Sequence, residues 1–338
     1  MKGKKLLAAG IIFCIVTVGI CACKQEKEDT TKKLYVGVTC YNQNDEFIGE
    51  LIDCFKEEVD QLQSDELKTT VTVRDAAGSQ RTQNDQVKEL IGAGCNVLCV
   101  NLVERADPSE IIDTAKKNNV PIIFFNREPV AEDLMQWEEL YYVGADAKQS
   151  GVMQGELAVE LIKKNNKIDR NKDGKIQYVV LEGEPGHQDS IIRTENAVNT
   201  LKDHGVKMEK LSYGIANWSR AQAQNRMTQI IGQYQNQIEL VLANNDDMAL
   251  GAIDAYEKAN FTESTKPVFL GIDGIQNGLK AVVDSKMAGT VYNDKEGQAE
   301  ALAKLAGKVA LGEKPKEKYI YLSYSKVTRE NVQEYLEK

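Results

Sequence analysis

Residues 169–177, DRNKDGKIQ, carry oxygen-bearing side chains at positions one, three, five and nine of a calcium-type loop: Asp169, Asn171, Asp173 and Gln177. Gly174 stands at position six, where such a loop turns through positive φ, and Lys175 at position seven would act through its backbone carbonyl. Asp, Asn, Gly and Lys in a row also make ordinary surface turns. The ninth-position Gln and the apolar run behind it, IQYVVL, favour a metal loop instead. Position twelve is Val180, not the bidentate Glu that closes an EF-hand, and a strand replaces the exiting helix. The last ligand must then come from a distant segment, and a loop completed in that way holds a fold together rather than sensing calcium.

A second set of capable residues recurs just beyond apolar runs: Asp45 and Phe47, Asn126, His187 with Asp189 and Arg193, Asn244 with Asn245 and Asp246, Asp273, and Asn293. In open α/β sheets ligands bind beyond the carboxyl ends of the strands. Carboxylates, a guanidinium and planar amides together suit a ring of neighbouring hydroxyls, since a buried hydroxyl left unpaired costs about 1–3 kcal/mol. Phe47 and Trp218, the latter in ANWSRAQ, would offer faces to the C–H side of such a ring. Trp218 could otherwise be a core anchor. Asp246 is read as a helix cap.

The elements that must position these residues alternate. Strand-like runs at 34–39, 71–75, 97–101 and 122–126 are followed by helical stretches beginning near Phe47, Gln80 and Asp107. A second series has strands at 177–182, 207–213, 240–243 and 268–272 and helices from near Asp189, Ser219, Asp246 and Gln276. This is the βαβα order of parallel sheets, and about 305 residues exceed what one core organises. The predicted fold is therefore α/β, with two doubly wound parallel-sheet lobes.

Ahead of them, Lys2, Lys4 and Lys5 precede an uncharged apolar stretch, Leu6 to Ala22, ending Ile20-Cys21-Ala22-Cys23. At 17 residues it is at the short limit for a membrane span and reads as a lipoprotein signal peptide (residues 1–22), with Cys23 as the lipidated N-terminus. Residues 23–33 then form the anchor and a charged flexible tether. Cleavage leaves 39 basic against 51 acidic residues, a net charge of −12, which excludes a nucleic-acid grip and leaves the lipid as the membrane link. Cys40, Cys54, Cys95 and Cys99 lie in apolar runs or helical faces and read as buried thiols, one disulfide being possible. Two histidines and no C-x-x-C make a zinc site improbable.

The motifs VGVTCYNQNDEFIGE, FFNREP, YYVGADAKQSG, DRNKDGKIQYVVLEGEPGHQDSIIR, ANW, IELVLANNDDMALGAID, GIDG and AGTVYND follow one another across residues 34–338. In this series the chain resembles the galactose/glucose-binding proteins of bacterial sugar ABC transporters, which have the type I periplasmic binding protein fold. The resemblance implies that Phe47 and Trp218 stack on a hexose. Asp45, Asn126, His187, Asp189, Arg193, Asn245, Asp273 and Asn293 would hydrogen-bond it, with Asp45 accepting the 4-hydroxyl of either glucose or galactose. It supplies Glu239 as the missing ligand of a structural Ca2+ held by Asp169, Asn171, Asp173, Lys175 and Gln177. Lys175 departs from the family's neutral Gln, and its ammonium must point outward. Three hinge crossings, near Gly144, Asn293 and Leu322, would give lobe one as 34–144 with 294–322 and lobe two as 145–293 with 323–338.

The function expected is that of an extracytoplasmic, lipid-anchored monomer that delivers hexose to ABC permease subunits. An alternative is a receptor presenting the sugar to a chemotaxis or sensor-kinase partner. An enzyme with His187 as general base, oriented by Asp189, lacks any nucleophile elbow, phosphate loop or dinucleotide fingerprint. A repressor would need an N-terminal helix-turn-helix where the signal stands.

Overall fold

The computed structural model describes residues 31–337. The predicted signal, Cys23 and most of the predicted tether lie outside them. Strand β1 (Lys32–Cys40) begins two residues inside the stretch read as tether, because Lys32 and Lys33 extend the pairing with the next strand beyond the apolar run. It is followed by β2 (Leu67–Asp75), β3 (Val97–Val100), β4 (Ile122–Phe125) and β5 (Leu140–Ala145). The second series is β6 (Ile176–Glu182), β7 (Met208–Ile215), β8 (Leu240–Ala243), β9 (Val268–Leu270) and β10 (Gly289–Tyr292). Two short strands, β11 (Tyr319–Leu322) and β12 (Ser325–Thr328), complete the set.

They form two six-stranded sheets, ordered β11-β5-β4-β3-β1-β2 and β12-β10-β9-β8-β6-β7. The first is parallel throughout, and in the second only β12 runs antiparallel, beside β10. Helices cover both faces of each sheet, so central strands such as β4 (IIFF) and β8 (LVLA) are buried at every residue. The chain passes between the sheets three times: from β5 into the helix Ala147–Lys164, from β10 into the helix Lys295–Ala310, and through residues 323–324 from β11 to β12. Each lobe is thus built from separated parts of the chain.

The first helix shows how sequence makes an element that also serves the site. In Glu46–Gln61 the residues Phe47, Ile48, Leu51, Ile52, Phe55 and Val59 recur at helical spacing and are all buried, each worth about 1.5–3 kcal/mol. Its cap is Asp45, whose Oδ1 accepts from Ile48 N at 3.1 Å. The cap expected at Asp246 is supplied instead by Asn245, whose side chain accepts from Met248 N at 3.0 Å. Asp246 is fully buried and fixes the start of the next segment, accepting from Gly274 N, Ile275 N and the Thr290 hydroxyl. A Cβ on Gly271 or Gly278 would come within 2.0 and 2.2 Å of that carboxylate, so glycine is required at both.

Candidate functional site

The carboxyl ends of β1, β4, β6, β8 and β9 all point into the cleft between the lobes. One small cavity there is lined by Asp45, Phe47, Asn126, His187, Asp189, Arg193, Trp218, Asn245 and Asp273. Asn293 stands behind this wall. It is buried, its N–H donates to the Asp273 carbonyl at 3.0 Å, and its Oδ1 accepts from Gln298 Nε2 at 2.7 Å. Three residues not named among the candidates from sequence also line the cavity: Tyr41, Ile48 and Arg127. The Tyr41 hydroxyl donates to Asp45 Oδ2 at 2.5 Å, and the Arg127 guanidinium lies 3.4 Å from the centre of the Tyr41 ring. Arg127 reaches across the cleft to Glu184, with Nη2 3.1 Å from Oε2. The signal for it was its position beside Asn126 in FFNREP.

Three site residues hold left-handed backbone: Asn126 (φ 59°), Trp218 (φ 61°) and Asp273 (φ 113°). Such conformations cost of order 1–3 kcal/mol and persist where the surroundings over-determine them. Asn126 is held by the Tyr142 hydroxyl on its carbonyl at 2.8 Å and by Asn101 Nδ2 on its Oδ1 at 3.1 Å. Trp218 lies over Gly183, where a Cβ would meet the indole at 2.2 Å. The indole also meets the His187 ring edge-on, with centroids 5.4 Å apart.

Donors and acceptors here are set rather than free. His187 Nδ1 accepts from Asp189 N at 3.2 Å, which places the proton on Nε2, and Nε2 is buried without a partner. Burial, with the charges of Arg127, Arg193 and Arg105, brings the His187 pKa down to about 3, so the ring is a neutral donor. Arg193 donates to the Asn244 carbonyl at 2.7 Å and the Tyr324 hydroxyl at 3.2 Å and lies 3.5 Å from Asp273, while its Nε is buried without a partner. Burial pushes Asp273 up to about 7 against the pull of Arg193. Two unpartnered donors therefore face carboxylates from both lobes, between two aromatic rings. That arrangement can satisfy a polyhydroxyl ring, and it presents no activated nucleophile. The cavity volume is about 30 Å³, room for a water and not for a ring, so entry of a sugar requires the lobes to part.

The loop at 169–177 gathers a second cluster. Glu239, immediately before β8, accepts from Arg170 N at 2.5 Å and, through Oε2, from Gln177 N at 3.2 Å. Asn171 Nδ2 lies 3.2 Å from both Asp173 Oδ2 and Gln177 Oε1. Asp169 Oδ2 accepts from Gly174 N at 3.0 Å, while its Oδ1 is buried with no hydrogen bond, an unpartnered oxygen that a cation would fit. Lys175 turns its ammonium outward to Glu209 at 3.5 Å. Among the described residues no three His, Cys, Asp or Glu side chains converge closely enough to hold a metal by themselves, so the Asn171 and Gln177 oxygens would be needed. Cys40, Cys95 and Cys99 are free and buried, and Cys54 is free and half-buried.

The family described as periplasmic binding protein domain matches residues 36–314. The chain is 34% identical over 310 residues to a D-galactose/methyl-galactoside binding periplasmic protein of Haemophilus influenzae, covering 89% of this chain and 91% of that one. It is 29% identical to a putative rhizopine-binding protein of Rhizobium meliloti, covering 78% and 81%. Among solved structures it is similar to an ABC transporter solute-binding protein of Bacillus halodurans with bound myo-inositol, at TM-score 0.77 and 28% identity over 92% of this chain and 99% of that one.

Proposed function

The chain belongs to the periplasmic binding protein family, and on that premise we propose that it captures D-glucose or D-galactose between its lobes for delivery to an ABC-type sugar permease. It is a binding protein and not an enzyme, as its relatives are. The observation that carries the hexose reading is the pairing of unpartnered donors, His187 Nε2 and Arg193 Nε, with Asp45, Asp189 and Asp273 between Phe47 and Trp218. Each of these donors without a protein partner is one that a bound hydroxyl or ring oxygen would satisfy. The galactoside-binding relative supports a hexose over a pentose. Closure follows from contacts on both lobes, since a ligand shifts such an equilibrium only through differential affinity.

Titration calorimetry of the chain from Lys24, stripped of co-purified sugar, tests this with glucose, galactose, ribose and myo-inositol. One-to-one binding of both hexoses, weakened at least about tenfold in Asp45→Ala and Trp218→Ala, is the expected result. Binding of ribose or myo-inositol in place of either hexose would keep the class of ligand and overturn the assignment.

The loop is proposed to hold a structural Ca2+ through Asp169, Asn171, Asp173, Gln177, the Lys175 carbonyl and Glu239, joining the start of β6 to the start of β8. The anchor is proposed to be diacylated Cys23, which would keep the protein at the outer face of the membrane. Among the described residues no helix is long and apolar enough to cross a membrane. Mass spectrometry of the mature N-terminus checks the modification, and an unmodified Cys23 in membrane fractions would refute it.

A further inference from the structure

We propose that Glu50, assisted by Glu46, is a closure latch: a lobe-one carboxylate that caps a lobe-two helix only while the cleft is shut, and so sets affinity without touching ligand. The proposal rests on the reading that ligand is held between the lobes. The helix Gln276–Val283 has Ile275 at its cap position and no side-chain cap of its own. Its first amide, Gln276 N–H, donates to Glu50 Oε1 at 3.0 Å, and the Asn277 side-chain amide donates to Glu46 Oε1 at 3.0 Å. Both glutamates stand on the helix Glu46–Gln61 of the other lobe.

The first amides of a helix lack partners inside it and carry partial positive charge, which a carboxylate satisfies on both counts. In the same turn Gly274 N and Ile275 N are satisfied by Asp246, within lobe two. The next amide is satisfied only from across the cleft. Lys295, buried in lobe one, lies 3.5 Å from Glu50 Oε2 and holds the carboxylate toward the seam. The latch also adjoins both walls of the binding site, since Asp45 directly precedes Glu46 and Asp273 lies three residues before Gln276. When the lobes part, Gln276 N–H passes to water, so the latch is strong enough to bias closure and weak enough to release.

Gln276→Pro isolates it. Proline has no N–H, is well tolerated at the first helical position, and requires an extended residue before it, which Ile275 already is at φ −62° and ψ 156°. The expected result is a hexose Kd raised about tenfold through faster dissociation, with the melting temperature of the unliganded protein unchanged. Glu50→Ala should move Kd the same way while also lowering the melting temperature, because it strips Lys295 of a partner. An unchanged Kd in Gln276→Pro would overturn the latch. A ligand-free readout keeps it separate from the sugar assignment. With Glu46→Cys and Asn277→Cys together, the rate of disulfide formation reports closure, and adding Gln276→Pro should slow it several-fold. An equal rate overturns the latch even if the wild type binds no hexose, whereas a slowed rate in the Gln276→Pro cysteine pair, with no hexose bound by the wild type, refutes the sugar assignment alone.

Discussion

At the residue scale, the site depends on positions that never touch ligand. Gly183 is one: in Gly183→Ala the new methyl would meet the indole of Trp218 at 2.2 Å and push it off its seat. Hexose affinity should fall about tenfold, with a changed near-ultraviolet dichroism of the tryptophans, and calorimetry on the variant checks it. His187 gives a pH prediction. Its folded pKa, about 3, lies below the ordinary value of 6.5, so below pH 6.5 the unfolded chain takes up a proton that the folded chain refuses. Its contribution to stability is present above 6.5 and is lost as the pH falls toward 3. Urea titrations should show the wild type losing stability more steeply over that window than His187→Gln. The site residues are legible in sequence because each follows a strand, and their grouping follows from the sheet rule. What is not legible is depth: Asn293 and Asn126 look alike at strand ends, yet only Asn126 reaches the cavity, because Gln298 holds Asn293 behind Asp273.

At the scale of elements, most helices and strands can be read from apolar period and caps, and misreadings occur where tertiary pairing decides. β11 (YIYL) and β12 (SKVT) are only four residues each, too short for a period to stand out, and each exists as the edge of a sheet finished elsewhere. Asp246 has the local signature of a cap, but its burial and three partners across the lobe give it a different task. The 169–177 loop is the clearest case of local pattern completed at a distance, since Glu239 enters from sixty-odd residues away. Chelation of the purified protein should lower its melting temperature by several degrees and leave hexose affinity nearly unchanged. Differential scanning fluorimetry and calorimetry with and without chelator measure both, and abolished binding would show that the loop does more than hold β6 to β8.

At the scale of the whole molecule, two lobes joined by three crossings have one easy motion, a change in the angle of the cleft. Direct contacts across it, Arg127 with Glu184 and Gln276 with Glu50, define the shut arrangement. Saturating hexose added to stripped protein should reduce the radius of gyration toward the roughly 20 Å of a compact chain of this length, read by small-angle scattering. An unchanged radius at saturation would count against capture by closure.

The threefold crossing also bears on how the molecule is made. Domains of a growing chain ordinarily fold as units, the first before the second is synthesised. Here the first sheet waits for β11 and the second for β12, the last two strands in chain order among the described residues. Neither sheet can be finished until its own one of these strands has been translated. A chain destined for the far side of a membrane gains from that delay, because it stays threadable through a translocation channel until β11 and β12 complete both sheets.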